Sequence, residues 1–450
     1  MKRHKIQYLM MMLFASLTAT AQNGVNSPYS RYGFGMQADR SMGFNKGMSG
    51  VAQGFRGGQI VNVANPASYS AVDSVTALFD LGLTIQNGNY EMGNLQHNAR
   101  NTSLDYAAFH FRATKGLGVA MGILPYTNIG YNMTSNSETL AGNEDITSQY
   151  TYKGEGGLHQ AFIGAGWEIC KPLSVGVNGS FLFGDYSHIT TMAFENQSNA
   201  YSLIRGYSAD ISTWMVDLGL QFTQPLNPKD KLVIGVNYGL GHNVSNRAVR
   251  YTETYNTSTA VSNGITSDTL KNAFQLPHTF NIGATYYKGA KLQVGADFEL
   301  QKWSDCKFPV QDAAGQYIAA KNQLNDKIRI SIGCSYTPNP KSTSRLSDRI
   351  NYQFGGYYSK SYANADQSIM KTDKPYEFGL SAGVSIPISN RNVYANIPKL
   401  NFSVQWAHTN IPYVSTASAT PTIGKLTENY LRFSIGLTFS ERWFYKYKME

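Results

Sequence analysis

The sequence is short of charge and of cysteine, and it lacks any long apolar run. Only 15% of its 450 residues are charged, whereas soluble domains usually carry roughly 25%. A mean hydropathy of −0.30 and the absence of an internal run of about 18 apolar residues exclude a helical membrane protein. The 30 Tyr, 22 Phe and 5 Trp residues exclude the composition of a disordered chain. A membrane β-barrel fits, because its strands dilute apolar residues by alternation with polar ones.

Sites for metals, cofactors and nucleic acids are also missing. Cys170, Cys306 and Cys334 are too few and too widely spaced for a disulfide framework or a zinc site. The histidines are scattered without metal-ligand spacing, and no nucleotide fingerprint, P-loop, zincin motif or serine-hydrolase elbow occurs. The formal charge of +9 is spread along the chain without a basic cluster, unlike a nucleic-acid footprint. We predict no metal, no cofactor, no nucleic-acid partner and no enzymatic activity.

The N-terminus has the pattern of a secretory signal peptide. Three basic residues precede an apolar stretch at 8–17, and Ala19-Thr20-Ala21 fits a cleavage site. A short membrane anchor is the alternative, but the apolar stretch is about half the length needed to span a bilayer. The sequence therefore predicts a signal peptide over residues 1–21 and an exported protein.

After about residue 73 the chain alternates apolar with polar residues, which is typical of strands with one apolar face. In one of the clearest segments, Leu431, Phe433 and Ile435 alternate with polar residues or glycine. Each such segment is long enough to cross a bilayer at the usual tilt, which takes roughly 9–11 residues. We predict fourteen strands, at 74–86, 102–114, 116–126, 158–170, 172–186, 209–224, 230–241, 277–288, 290–303, 325–337, 348–360, 375–388, 399–410 and 428–440.

The connections between these segments alternate long and short, as they do in outer-membrane barrels with long external loops and short periplasmic turns. A soluble β-sandwich or propeller also alternates, but neither predicts strands of this length or this regular change of loop length. The sequence therefore predicts an all-β fold, a 14-stranded antiparallel transmembrane β-barrel over residues 74–440. A periplasmic C-terminal tail follows at 441–450.

Residues 22–73 precede the first strand and are too many for a simple leader. A ring of fourteen strands leaves a hole unless something fills it. Eight glycines between residues 33 and 58 permit irregular backbone, which is tolerated at membrane depth inside a barrel. Five aromatic residues favour packing over a disordered periplasmic leader, which is the alternative. We predict that 22–73 form an N-terminal hatch, a plug in the lumen.

Several short motifs, in their order along the chain, resemble a known family. Asn65-Pro66-Ala67 directly before the first strand, the glycine-rich segment and the fourteen strands are similar to the FadL-type long-chain fatty acid transporters of Gram-negative outer membranes. The resemblance covers essentially the whole mature chain. Five further motifs look like the branch of that family found in the Bacteroidetes: Ser27-Pro28-Tyr29-Ser30-Arg31-Tyr32-Gly33, Gly156-Gly157-Leu158, Leu173-Ser174-Val175-Gly176, Trp303-Ser304-Asp305 and Trp443-Phe444.

The resemblance implies passive uptake of hydrophobic small molecules such as long-chain fatty acids. In this family the ligand is captured among external loops, enters a lumenal pocket beside the hatch, and leaves sideways through a gap made by a kink in the third strand. Here that strand is 116–126. Gly118, Ala120 and Gly122 are small, and Pro125 lacks a ladder donor. The alternative is an ordinary strand whose glycines let the hatch pack closely.

A column of charged residues is predicted to face the lumen. Asp297 and Glu299 lie on one strand, and Lys327 and Arg329 lie on the next, where cross-strand pairing is expected. We predict lumenal salt bridges. Charge in a confined cavity is worth more than in water, so Lys327, Arg329 and Arg432 are also candidates for binding a ligand carboxylate.

Three function classes stay open. The first is uptake, with a hydrophobic small molecule and outer-membrane lipids as partners. The second is a scaffold or adaptor barrel for protein export or surface attachment, with a protein partner, as some FadL-like barrels of the Bacteroidetes are. The third is a lipid hydrolase or deacylase, for which the sequence offers no catalytic set.

Overall fold

We analysed a computed structural model of the chain. The structure describes residues 25–74, 76–93, 95–135, 138–140, 143–194, 200–244, 246–256, 259, 261–311, 314–342, 345–363, 374–388, 398–415 and 422–442. The predicted signal peptide and the Trp443-Phe444 motif lie outside these ranges. Among the described residues, no helix is long and apolar enough to span a bilayer.

Fourteen antiparallel strands pair with their sequence neighbours into a closed ring. The strands, β1 to β14 in chain order, are Thr76–Met92, Leu95–Thr114, Leu117–Thr134, Asn143–Cys170, Leu173–Phe194, Tyr201–Pro225, Asp230–Gly239, Thr279–Lys288, Leu292–Gln301, Lys327–Tyr336, Asn351–Lys360, Tyr376–Pro387, Lys399–Ser415 and Thr422–Arg442. β1 pairs with β14 from Thr76↔Arg442 to Met92↔Leu426, which closes the ring. The predicted fourteen-stranded antiparallel barrel is confirmed.

The strands alternate between an apolar outer face and a polar inner face. Ile163 and Trp167 on β4 and Leu380 on β12 are more than half exposed and point outward. Asn178 on β5 and Gln221 on β6 are fully buried and point inward. Apolar side chains exposed in such a belt are favourable in contact with lipid but not in contact with water. The belt therefore marks the membrane-spanning height of the ring.

Several strands rise well above this belt at the end with the long connections, which is the external end in outer-membrane barrels. β4 was predicted at 158–170 and spans Asn143–Cys170, and β6 was predicted at 209–224 and spans Tyr201–Pro225. The predicted strands are too short because the extensions have water on the outside. Their outer faces are not apolar, so the alternation fades where the belt ends.

Two predicted connections contain hairpins that the sequence analysis missed. In the connection at 241–276, strands Asn246–Asn256 and Val261–Lys271 form what we call the external hairpin. Its first strand pairs with the outer half of β6 from Asn246↔Ile211 to Asn256↔Tyr201. Strands Phe308–Gln311 and Tyr317–Ala320 form a second hairpin in the connection at 304–324.

Several short strands and helices lie outside the fourteen barrel strands and the two hairpins. Asn243–Val244 pairs with Phe274–Gln275. A 3-10 helix, Ser347–Arg349, precedes β11. The hatch segment, described from residue 25 to 73, contains a 3-10 helix Pro28–Arg31, a strand Met36–Gln37, an α-helix Gly43–Lys46 and a 3-10 helix Pro66–Ala71.

The hatch segment lies inside the ring and contacts strands on several sides. Met48 is fully buried against Gly333 on β10 and Gly355 on β11, where an added Cβ would collide with it. The backbone of Pro66 meets Gly176 on β5 in the same way. Toward the external end, the ring of Phe34 packs against Phe274 at 5.0 Å, Trp303 at 5.5 Å and Phe308 at 5.7 Å between centroids. The segment therefore contacts the ring through aromatic packing toward the external end and through close backbone contacts farther from it.

Candidate functional site

The wall of the barrel is interrupted between β2 and β3. The ladder between them runs from Thr114↔Leu117 to Ala107↔Ile123 and ends there. Beyond it, residues 95–106 of β2 pair only with β1, and residues 124–134 of β3 pair with β4. We call this interruption the wall gap.

The gap begins within the membrane belt. Leu83 and Ile85 on β1 are exposed to lipid, and they lie opposite Leu104 and Thr102 on β2. These β2 residues have no ladder partner on the β3 side. The interruption of the ladder therefore begins at the height of the lipid-facing side chains and continues to the external end.

The hatch segment covers the β3 side of the gap. Met36 and Gln37 pair with Asn128 and Thr127 as a short antiparallel strand. The N–H of Ala38 donates to the carbonyl of Tyr126 at 3.0 Å. The hatch segment thus pairs with part of the β3 edge that does not pair with β2.

A bulge in β3 lies at the start of the gap. The register between β3 and β4 shifts between Pro125 and Thr127, and proline at such a place removes one ladder donor. On β4, Gly156 and Gly157 lie opposite, with φ of 118° and 156°, a backbone conformation that glycine adopts without a Cβ penalty. Proline and glycines together let the wall bend where the ladder to β2 stops.

A lumenal cavity of 130 Å³ lies directly behind the wall gap and is bordered by Ser103, Pro125 and Asn128. Its charged lining consists of three acidic and four basic residues, Asp39, Asp105, Glu377, Lys46, Lys327, Arg329 and Arg432. We call it the gap cavity. Its lining is polar and charged, and it lies beside the hatch segment, where the resemblance implies a lumenal pocket.

The three predicted ligand-binding candidates are brought together around the gap cavity. Lys327 Nζ donates to Gln37 Oε1 at 2.6 Å and is 3.2 Å from Glu299 Oε1. Arg329 donates from NH2 to the carbonyl of Ser49 at 3.2 Å and stacks over Tyr357. The first two candidates therefore hold the hatch segment.

Arg432, the third candidate, is bound to the barrel wall. It donates to Gln86 Oε1 at 2.8 Å and to Gln405 Oε1 at 3.0 Å. Asp297 does not pair with a basic residue as its strand position predicted, because its Oδ2 accepts from the backbone N–H groups of Ala52 at 2.6 Å and Gln53 at 2.9 Å. The inward charges thus serve hatch contacts as well as cross-strand pairs.

Asp39 of the hatch segment borders the gap cavity and is held as an anion. Its Oδ1 accepts from Ser41 N at 2.9 Å and Ser41 Oγ at 2.6 Å. Burial by itself raises the pKa of Asp39, but Lys46 and Arg329 outweigh it and hold the pKa below its usual value. The hatch therefore carries a fixed negative charge into a region of basic residues.

The Asn65-Pro66-Ala67 motif fixes the hatch segment to β6 and β7. Asn65 caps the 3-10 helix Pro66–Ala71 by accepting from Ala67 N at 3.1 Å. Its Nδ2 lies 3.3 Å from the carbonyls of Leu220 and Val236. The side-chain amide of Asn65 thus both caps the 3-10 helix and binds the barrel wall.

The small residues of β3 are in close contact with the hatch or with the neighbouring strand. A Cβ at Gly118 would overlap the carbonyl oxygen of Tyr69, and Ala120 is fully buried. A Cβ at Gly122 would overlap the carbonyl of Ala107 on β2. These contacts favour the close-packing alternative for Gly118 and Ala120, while Pro125 remains the residue next to the gap.

The sequence analysis missed the hatch partner of β2. Lys46 Nζ donates to Asp105 Oδ2 at 2.7 Å, and both side chains are buried. The pairing of β1 with β2 skips Asp105, since Gly82 faces Tyr106 and Leu83 faces Leu104. Asp105 is the extra residue of a β-bulge, which re-aims its side chain.

Two further cavities flank the aromatic packing. One, of 140 Å³, lies below it beside Arg40, Asp217, Asp297 and Glu299. The other, of 390 Å³, lies at the external end. Among the described residues, no group of His, Cys, Asp and Glu is arranged to hold a metal ion.

Comparisons with known proteins agree with this architecture. A family model described as BamG matches residues 1–450, and no curated protein matches the chain. The solved toluene transporter TodX of Pseudomonas putida is 14% identical, with a TM-score of 0.57 over 94% of this chain and 100% of that one. The monoaromatic hydrocarbon channel CymD is 17% identical, with a TM-score of 0.55 over 89% of this chain and 98% of that one.

A FadL homologue of Pseudomonas aeruginosa is 11% identical, with a TM-score of 0.57 over 89% of this chain and 98% of that one. At these identities the likeness concerns the fold, which is that of the FadL-type outer-membrane barrels. The chain itself belongs to the BamG family.

Proposed function

We propose that the protein mediates passive uptake of amphiphilic hydrophobic molecules, such as long-chain fatty acids, across the outer membrane of a Gram-negative bacterium. The ligand enters among the external connections, passes beside the hatch segment and leaves sideways through the wall gap. The motifs at 27–33 and 156–158 support a place in a Bacteroidetes-like branch. The proposal extends to this chain the kind of activity carried by CymD, a monoaromatic hydrocarbon channel, and TodX, a toluene transporter.

The observation that carries the proposal is the gap cavity behind an interrupted wall. Two neighbouring strands stop pairing at Ala107 and Ile123, within the membrane belt, and a cavity opens behind them. Backbone groups left unpaired at that depth are costly in lipid. A wall kept open at this cost is expected to serve passage.

The charge of the gap cavity favours an amphiphile over a pure hydrocarbon. Arg329 and Arg432 line the cavity and have no ion pair within 4.0 Å among the described residues, and a charge-assisted hydrogen bond to arginine is roughly twice as strong as a neutral one. Leu104 and Ile123 flank the gap toward the lipid. The head is expected at Arg329 or Arg432 and the chain in the gap.

Passage requires the hatch strand to move. The gap cavity of 130 Å³ is smaller than ordinary ligand pockets of roughly 300–1,000 Å³. The β3 edge is covered by the pairing of Met36 and Gln37 with Asn128 and Thr127, and it is also held by the hydrogen bond from Ala38 N–H to the Tyr126 carbonyl and by those of Ser30 with Gly130. Release of this short strand would join the gap cavity to the bilayer without breaking the ring.

A disulfide across that strand tests the proposal. The double substitution Met36→Cys and Asn128→Cys joins directly opposed residues, in a background with Cys170 and Cys334 replaced by Ser, since both are accessible. In proteoliposomes, uptake of labelled palmitate should be fast in the reduced protein, at least tenfold slower when oxidised, and restored by reductant. The matched control, Thr252→Cys with Thr266→Cys, crosslinks the external hairpin and should leave uptake unchanged.

Two results would contradict the proposal. Palmitate uptake no faster than in empty liposomes would exclude transport of this class. Equal uptake in the oxidised and reduced Met36–Asn128 protein would show that ligand does not pass by release of the hatch strand.

A scaffold is the second candidate, and the external hairpin favours it. Among the described strands, none pairs with the outer edge of Val261–Lys271. Nine consecutive residues from Val261 to Thr269 are exposed, and Ile265 is 63% exposed. A bare edge of this length accepts an added strand from another protein. The small, charged lumenal cavities fit a barrel that does not conduct ligand.

A photo-crosslinker placed at Ile265 tests the scaffold. A single adduct of defined mass in intact cells would support the scaffold function. The adduct should be absent when the crosslinker is placed at Leu226, which lies in a short connection. Leu226 is 55% exposed and is therefore a matched position. If the protein takes up palmitate but forms no adduct at Ile265, docking of a partner at this edge would be excluded.

A further inference from the structure

The external cavity of 390 Å³ has a lining unlike that of the lumenal cavities. It lies between the hatch segment, β5, β6 and the external hairpin, and three arginines reach it, Arg31, Arg205 and Arg250. The described lining contains no carboxylate. The gap cavity, in contrast, balances its basic residues with three acidic ones.

Strand register places two of these arginines side by side. Arg250 on the external hairpin lies opposite Tyr207 on β6, and Thr252 lies opposite Arg205. Arg205 and Arg250 are therefore diagonal neighbours on the same inward face, at a distance that long side chains bridge. Both residues line the external cavity, because the external hairpin continues the sheet of β6.

The third arginine comes from the hatch segment. Arg31 ends the 3-10 helix Pro28–Arg31, and its guanidinium lies 4.6 Å from the ring centroid of Tyr152. Stacking on an aromatic face orients a guanidinium while leaving its N–H groups free to bind. Arg31 thus lines, from the hatch segment, the same cavity as the two strand arginines.

None of the three guanidinium groups has an ion-pair partner within 4.0 Å among the described residues. Asp268, directly opposite Arg250 on the external hairpin, is exposed and makes no such pair. Three cationic side chains that line one cavity without an ion pair repel one another. A bound anion would remove this repulsion.

Much of the remaining lining is apolar or aromatic, beside the polar side chains of His188, Thr190 and Gln323. Tyr207, Phe308 and Leu324 line the cavity, and the ring of Tyr207 packs edge-on against Tyr317 at 6.1 Å. Such surfaces bind the body of a small organic molecule rather than a bare ion. The cavity therefore combines a place for an anion with a place for an apolar body.

We propose that the external cavity binds a phosphate monoester carried on an apolar body. A carboxylate is satisfied by one bidentate arginine, whereas a phosphate has three acceptor oxygens and a charge of about −1.5 to −2, which suits three arginines. The ligand is either the phosphorylated headgroup of a lipid in the outer leaflet or a soluble phosphorylated molecule. This site is independent of palmitate passage through the wall gap.

Calorimetric titration of the full-length protein in a non-ionic detergent tests the site, with hexyl phosphate, hexanol and inorganic phosphate as probes. Hexyl phosphate should bind at least tenfold more tightly than hexanol. Inorganic phosphate should bind at least tenfold more weakly than hexyl phosphate, and equal binding of the two would overturn the proposed apolar body of the ligand.

The double substitution Arg205→Gln and Arg250→Gln should weaken hexyl phosphate binding at least tenfold. Arg247→Gln is the matched control, because Arg247 is on the same strand, exposed, and opposite Asp210 on the outer face. If the double variant is unfolded in its circular dichroism spectrum, Arg205→Gln alone replaces it. Equal binding of hexyl phosphate by the arginine variant and the wild type, or equal binding of hexyl phosphate and hexanol, would overturn the proposal.

Discussion

Lys46 of the hatch segment donates to Asp105 of β2 across 2.7 Å, and both side chains are buried where the wall gap begins. The same carboxylate oxygen accepts from Thr84 Oγ1 on β1 at 2.5 Å. One carboxylate therefore links the hatch to two strands, on the β2 side of the gap. On the other side, the hatch is held to β3 through Met36 and Gln37.

The first prediction concerns this ion pair. Asp105→Asn leaves Lys46 as a buried charge without its anion, which costs up to about 3–5 kcal/mol. We expect a lower thermal unfolding midpoint and faster tryptic cleavage in the hatch. Lys153→Met is the control, because Lys153 and Glu155 form a pair at 3.0 Å that is half exposed and is worth about 0–1 kcal/mol. Equal midpoints for the two variants would show that the buried pair does not hold the hatch.

The second prediction concerns the close contact of β3 with the hatch. Gly118→Ala places a Cβ on the carbonyl of Tyr69, which is also bound by His110 Nε2 at 3.0 Å and so cannot turn away freely. Overpacking of this kind costs about 1–3 kcal/mol. Gly179→Ala on β5 is the control, since the nearest atom to its Cβ is 3.9 Å away. A Gly118→Ala protein as stable as the control would contradict the contact.

The third prediction concerns the hatch as a plug. Deletion of residues 22–64 removes the α-helix and the short strand but retains the Asn65-Pro66-Ala67 motif before β1. We expect an assembled barrel with raised ion conductance in planar bilayers, because a ring of fourteen strands encloses more space than its own side chains fill. Circular dichroism confirms assembly, and an unchanged conductance would show that the segment does not close the lumen.

The barrel could be predicted from the sequence because lipid imposes a pattern. Only the lipid-facing residues of a strand, such as Ile163 and Leu380, must be apolar. Apolar residues therefore recur at every second position of each strand. The external hairpin has water on its outer face, and Val261–Lys271 is exposed along nearly its whole length. No such pattern is imposed there, and the hairpin was missed.

The bulge at Asp105 shows what else the pattern hides. In an unbroken strand Asp105 shares the outward face of Phe109 and Phe111, which conflicts with its charge. The skipped residue in the β1–β2 register removes the conflict by turning Asp105 inward. A charged residue on an apolar face is therefore a signal for a bulge, although its partner Lys46, 59 residues away, is not readable from sequence.

The last prediction concerns the charge of Asp39 in the gap cavity. Burial raises its pKa, yet Lys46 and Arg329 outweigh burial and lower it below the ordinary value of 3.8. A carboxyl with a lower pKa in the folded state stabilises the fold above its unfolded pKa, and this contribution is lost as pH falls through the folded pKa. The midpoint difference between wild type and Asp39→Asn should therefore be constant from about pH 5 to pH 8 and shrink in more acidic buffers. Thermal melts of both proteins from pH 8 down into acidic buffers measure this midpoint difference, and the exposed Asp268→Asn is the control. A difference that grows on acidification would mean that Asp39 is not held as an anion by its basic neighbours.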